Sequence, residues 1–149
     1  MTGATPLRLF PESDFSVMNC TAAHAMLNAA LAEAHRMNVS VCIAIVDAAA
    51  WPVAFLRMDN TILGAIDIAN KKARTAVLFQ MDSAEFAEIA HPNAHAYTLE
   101  NTNGGLISFG GGLVLKGAGG TVVGAIGVSG ASTADDIAIA TVAARTLNA

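Results

Sequence analysis

Charge is scarce in this chain. Asp, Glu, Lys and Arg make up 13% of its 149 residues, about half of the ~25% usual in soluble domains. Only eight residues are Lys or Arg, the net charge is −4, and no basic cluster stands out. That argues against nucleic acid as the main partner. Aromatic residues are 5%, so the apolar content rests on Ala, Val, Ile and Leu. No uninterrupted apolar run approaches the ~18–20 residues of a membrane span. The first ten residues lack the basic stretch and apolar block of a secretion leader. No membrane association and a cytoplasmic location are therefore expected. Cysteine is limited to Cys20 and Cys42, neither in a CxxC motif. A disulfide framework is excluded, a zinc site lacks soft ligands, and reduced, packed thiols are expected. The GxSxG elbow, the phosphate loop and the dinucleotide fingerprint are all missing.

Apolar residues, by contrast, make up 54% of the chain. A chain of this length forms one domain, here residues 1–149, with a sizeable core. So few charges cover a small surface poorly, and a homo-oligomer is the expected remedy. Eleven of the thirteen glycines fall between Gly104 and Gly130. Aliphatic and β-branched residues separate them, so this stretch is no linker. Glycine in a strand marks a bulge or a close approach. The approaching body is a helix, another subunit or a small ligand.

Periodicity places a first helix over residues 14–37, capped by Ser13 and rich in alanine. Residues 39–47 and 53–58 form an antiparallel hairpin. A second helix covers residues 62–79, with Asp67 and Lys71 in the favourable acid-before-base order. Asp82 and Glu85 form a capping box for a short helix ending near Ala90, where His91-Pro92 stops it. The glycine-rich stretch supplies two or three strands. Thr133 to Asp136 opens a last helix reaching about Leu147. The element order predicts an α+β fold, one antiparallel sheet with helices on one or both faces.

The segments Val46-Asp47, Arg57-Met58-Asp59, Lys72-Ala73-Arg74-Thr75-Ala76, Gly110-Gly111-Gly112 and Gly124-Ala125-Ile126-Gly127-Val128-Ser129-Gly130 occur in this order. Together they resemble the GlcG/HbpS family, which includes the C-terminal domain of PduO-type proteins. The resemblance implies a five-stranded antiparallel sheet flanked by helices, profilin-like, assembled into dimers or rings. It also implies a haem or corrinoid link for some members, and a place beside catabolic enzymes for many. The chain departs from the family in its hairpin turn. It has Asp47-Ala48-Ala49-Ala50-Trp51-Pro52 where relatives carry Asp-Ala-Gly-Gly. A turn that needs positive φ has lost its glycine, so a remodelled tip is expected, with Trp51 facing a ligand or a neighbour.

Two sets of residues could carry chemistry. His24 and His35 lie eleven residues apart on the first helix, hence within about 20° of one face and roughly 16 Å apart along the axis. They cannot share a metal. Either one suits a lone axial ligand to haem iron, and His24 is the first candidate. The competing reading of each is a histidine at a helix boundary or subunit contact. His91 and His95 have metal-like spacing, but Pro92 breaks the helix that spacing assumes. The second set is Arg57, Asp59 and Lys72. An arginine fork with a lysine beside it holds a carboxylate, either of a small organic acid or of a haem propionate. Asp59, His95 and Glu100 are the candidate acid–base groups. Against this stands a structural ion pair of Arg57 with Asp59 or Asp47. The functional alternatives are therefore a haem- or tetrapyrrole-binding protein, a cofactor-independent enzyme acting on a small organic acid, and an oligomeric accessory protein without chemistry.

Overall fold

The computed structural model describes residue 3 and residues 18–148. Four strands form one antiparallel sheet in the order β2-β1-β4-β3: β1 (Cys42–Asp47), β2 (Pro52–Arg57), β3 (Gly112–Lys116) and β4 (Val122–Ser129). The expected fifth strand is not found among the described residues. The glycine-rich stretch yields two strands because its first part cannot run extended. Gly104, Gly105 and Gly111 all have positive φ, and residues 91–111 turn instead through a short 3-10 segment at Leu99–Asn101.

Helices cover both faces of the sheet. On one face α1 (Cys20–Arg36) and α4 (Thr133–Arg145) pack over Ile43, Ile45, Ile126 and Val128. On the other, α2 (Gly64–Phe79) lies over Cys42, Ala44, Val46 and Ala125. Helices on both sides explain why β1 is buried along nearly its whole length. The short α3 (Ser83–Ala90) adds a small cluster around Phe86, Ala90 and Leu106.

Several helix starts differ from expectation. Ser13 and the proposed beginning of α1 lie outside the described residues. Within them α1 begins at Cys20, where the Asn19 side chain accepts a hydrogen bond from the Ala22 N–H at 2.8 Å. The cap of α4 is Ser132, not Thr133, accepting from the Asp135 N–H at 3.1 Å. α2 begins two residues late, at Gly64, because residues 62 and 63 are used in turns. The Asp67–Lys71 pair forms, at 3.0 Å.

Three of the alanines of α1 serve the interior of the subunit, while Ala25 and Ala32 are exposed. Ala23, Ala30 and Ala34 are fully buried. The strand glycines do likewise. A Cβ on Gly127 would run into the Ala69 carbonyl and the Ala73 amide of α2, and one on Gly124 into the Val46 carbonyl of β1. The close approach is therefore made by the chain's own helix and strand.

Candidate functional site

The buried face of α2 is a stripe of small residues, Ala65, Ala69, Ala73 and Ala76, interrupted by Lys72. Lys72 is fully buried. Its Nζ donates to Asp136 Oδ2 at 2.9 Å and to the Val128 carbonyl at 2.9 Å, and it lies 5.0 Å from the centroid of the Phe109 ring. Asp136 Oδ1 accepts from the Ala131 N–H at 3.1 Å. The acid therefore fills the start of α4, where the helix N-terminus favours an anion. Burial pushes the Lys72 ammonium below its ordinary value, against the pull of Asp136. The same burial pushes the Asp136 carboxyl up, against the pull of Lys72. Gly111, with φ +122°, completes the enclosure, since a Cβ there would sit 2.6 Å from Lys72 Nζ. Lys72 is thus a structural cation and is not available to a carboxylate beside Arg57.

Arg57 and Asp59 lie elsewhere. Arg57 ends the edge strand β2, and the segment from Arg57 to Asn60 turns toward α2. This segment borders two open depressions, of 370 and 560 Å³. The first lies between the end of α1 and the β2–α2 turn. Leu31, Val39, Leu56 and Met58 give it apolar wall, and His35, Asn38, Ser40, Arg57, Asp59 and Asn60 give it polar groups. Asn38 and Asn60 both adopt positive φ, 55° and 64°, a conformation asparagine tolerates at turns. Met58 is fixed from both sides. Its amide donates to the Val41 carbonyl at 3.1 Å, and its sulfur accepts from the Val41 N–H at 3.4 Å.

No ion pair among the described residues joins Arg57 to Asp59 or Asp47, contrary to the structural alternative. The Asp47 carboxylate is used in the hairpin turn, accepting from the N–H groups of Ala49 and Trp51 at 2.9 and 3.0 Å. The expectation of a turn reshaped by lost glycine also changes. Ala50 itself adopts φ +67°, so the positive-φ position persists on an alanine. Trp51 stands at the tip, 70% exposed.

His24 is exposed on α1 and lines neither depression that Arg57 borders. The two residues that the haem expectation joins do not share a cleft. His95 is exposed in the loop after α3. Glu100 accepts from the Ser108 hydroxyl, and its carbonyl accepts from the Leu106 N–H, so it braces that loop. Neither residue lines a depression containing Arg57. His91 Nδ1 accepts from the Asn93 N–H at 3.2 Å and is committed to its own turn. Cys20 is exposed rather than packed. Cys42 is buried, and burial raises its thiol against the nearby Arg57 charge. Among the described residues no three His, Cys, Asp or Glu side chains gather as a metal site would, and no helix is long and apolar enough to cross a membrane.

Sequence reasoning missed two groupings. His35 belongs with Arg57 at the cleft, not with His24. Asp136 and Phe109 belong to Lys72. The lone lysine at a core position of the alanine stripe of α2 was the available signal.

The model of the family described as haem degrading protein HbpS-like matches residues 18–145. The chain belongs to that family. It is 34% identical over 126 residues to the corrinoid adenosyltransferase PduO of Salmonella typhimurium, covering 84% of this chain. It spans only 37% of that relative's length. The Klebsiella pneumoniae protein ORFY superposes with a TM-score of 0.86 at 30% identity, covering 95% of this chain and 99% of ORFY. The structure described as the PduOC:heme complex superposes with a TM-score of 0.84 at 32% identity, covering 89% of this chain and 96% of that one.

Proposed function

We propose that this protein binds haem or a related tetrapyrrole, with His24 as the iron ligand. The observation that carries the reading is the 32% identity and 0.84 TM-score to a chain described in complex with heme. The HbpS-like family description points the same way. His24 fits in chemistry and position, being an exposed imidazole on α1 with no hydrogen-bond partner among the described residues. Haem iron accepts a neutral histidine nitrogen as axial ligand. A flat ring standing on one helix needs a second wall, and a neighbouring subunit supplies it.

Homo-oligomerisation is therefore part of the proposal. With Ala23, Ala30, Ala34 and the strand glycines packed inside the subunit, the large apolar side chains left at the surface include Trp51, Phe55, Ile62 and Leu63, exposed by 70, 41, 65 and 72%, beside Leu78, Tyr97 and Phe109.

A second reading keeps the enzyme acting on a small organic acid. The observation favouring it is the cleft shared by Arg57 and Asp59. It no longer includes Lys72.

Titration of the protein with haem, followed at the Soret band, tests the first reading. A saturable shift at equimolar haem, abolished in His24→Ala, is expected. No saturable change overturns it and leaves the small-acid reading in front.

A further inference from the structure

We infer that the 370 Å³ cleft between the end of α1 and the β2–α2 turn is a binding site for a small monocarboxylate with a short apolar body. The inference deepens the small-acid reading, on which it rests, by giving it a place and a ligand class. It requires neither turnover nor haem.

The polar groups of the cleft include several that can donate. Arg57 supplies a planar fork matched to a carboxylate. His35, Asn38, Ser40 and Asn60 add imidazole, amide and hydroxyl N–H and O–H groups around it. Among the described residues no hydrogen bond or ion pair occupies the Arg57 guanidinium. Lys72, Lys71 and Arg36 are paired with acids and Arg74 donates to the Asn103 carbonyl, so Arg57 is one of the cations left open to a ligand, and it is the one that lines this cleft.

A smaller part of the cleft wall is apolar. Leu31, Val39, Leu56 and Met58 offer a surface for carbon, not for a second charge. The volume lies at the small end of the range for ligand clefts, roughly 300–1,000 Å³. Asp59 is the single acid at this cleft. It opposes a second negative charge on the ligand, so a monoanion is preferred over a dianion.

The positions are fixed by the fold. Arg57 pairs in register with the buried Cys42 of β1. Met58 is tied to Val41 from both its amide and its sulfur, and Thr61 Oγ donates to the Met58 carbonyl at 2.8 Å. The turn that carries Arg57, Asp59 and Asn60 is thereby held to the end of β1 before any ligand arrives.

Calorimetric titration of the intact chain with hexanoate, its neutral twin hexanamide and the dianion adipate tests the inference. Saturable binding of hexanoate is expected, with hexanamide and adipate each at least tenfold weaker. Arg57→Met should weaken hexanoate at least tenfold and Arg57→Lys less. Both are exposed substitutions that leave the fold intact, as circular dichroism would check. His24→Ala should leave hexanoate binding unchanged. Equal binding of hexanoate and hexanamide, no binding at all, or indifference to Arg57→Met overturns the inference. Displacement of hexanoate by haem also overturns it, assigning the carboxylate site to the tetrapyrrole. Saturable binding of hexanoate that depends on Arg57 upholds the inference whether or not the acid is consumed.

Discussion

Lys72 and Asp136 meet at 2.9 Å with their side chains 0% and 3% exposed, joining helices that lie on opposite faces of the sheet. Taking two charges out of water costs several kcal/mol each, recovered only while both remain paired. Lys72→Met or Asp136→Leu alone should cost about 3–5 kcal/mol, because each strands a buried charge or polar partner. The double variant should recover much of that loss. Chemical denaturation of the four proteins in a double-mutant cycle measures the coupling. Additive single losses would contradict an interacting pair.

Asp82 gives a pH signature. It is half-buried, and burial raises its carboxyl above the ordinary 3.8, opposed by the Val114 N–H that donates to it at 3.0 Å. A folded value above the unfolded one means the folded state holds the proton more tightly. The contribution is therefore full below pH 3.8 and is lost as pH rises through the raised folded value. Asp82→Asn keeps an acceptor for Val114 but cannot titrate. The wild type should lose stability relative to this variant as pH rises just above 3.8. A constant difference in melting temperature across that window would refute the assignment.

Gly127→Val and Gly124→Val should both damage folding. Overpacking costs typically about 1–3 kcal/mol, and here the obstructing atoms are backbone. Gly64→Ala is the control. Nothing lies within 4 Å of a Cβ there, and alanine in a helix gains roughly 0.4–1 kcal/mol over glycine. Thermal melts should move in opposite directions.

Ala50 carries φ +67° in the hairpin turn. Ala50→Gly should stabilise the protein by about 1 kcal/mol, since the left-handed conformation costs a Cβ-bearing residue ~1–2 kcal/mol. An unchanged or lower denaturation midpoint would show that the Asp47 hydrogen bonds already offset the strain.

Sedimentation at micromolar concentration should show a species heavier than the 15.2 kDa monomer. Leu63→Lys, at a residue 72% exposed, should shift it toward monomer without changing the melting curve of the subunit. A wild type that sediments only as monomer would end the oligomer proposal.

The fold was legible wherever periodicity was strong. The hairpin, the acid–base pair on α2 and a small-residue seam all follow from spacing and residue size. Helix ends were read less well because Ser132 and Thr133, or Asn60 and Thr61, are all plausible caps until the flanking turn is known. The site was only half legible. Arg57 and Asp59 are neighbours in sequence and share a cleft. His35 joins them through the return of the chain after Asn38, a relation no spacing records. Lys72 misled because a lone lysine among alanines looks equally like a ligand and a buried strut. What separates the two is a partner 64 residues away.

Where Gly127 touches Ala69 and Ala73, helix and strand meet backbone to backbone, with no side chain between them to absorb a change. Inheritance at this seam is therefore joint. A side chain at 127 would push α2 away from β4, and Lys72 with it. A chimera with a relative should tolerate exchange of the hairpin or of α1 more readily than exchange of α2 alone. The workable unit of transplantation is α2 together with β4, two segments far apart in the gene that the contact obliges to travel as one.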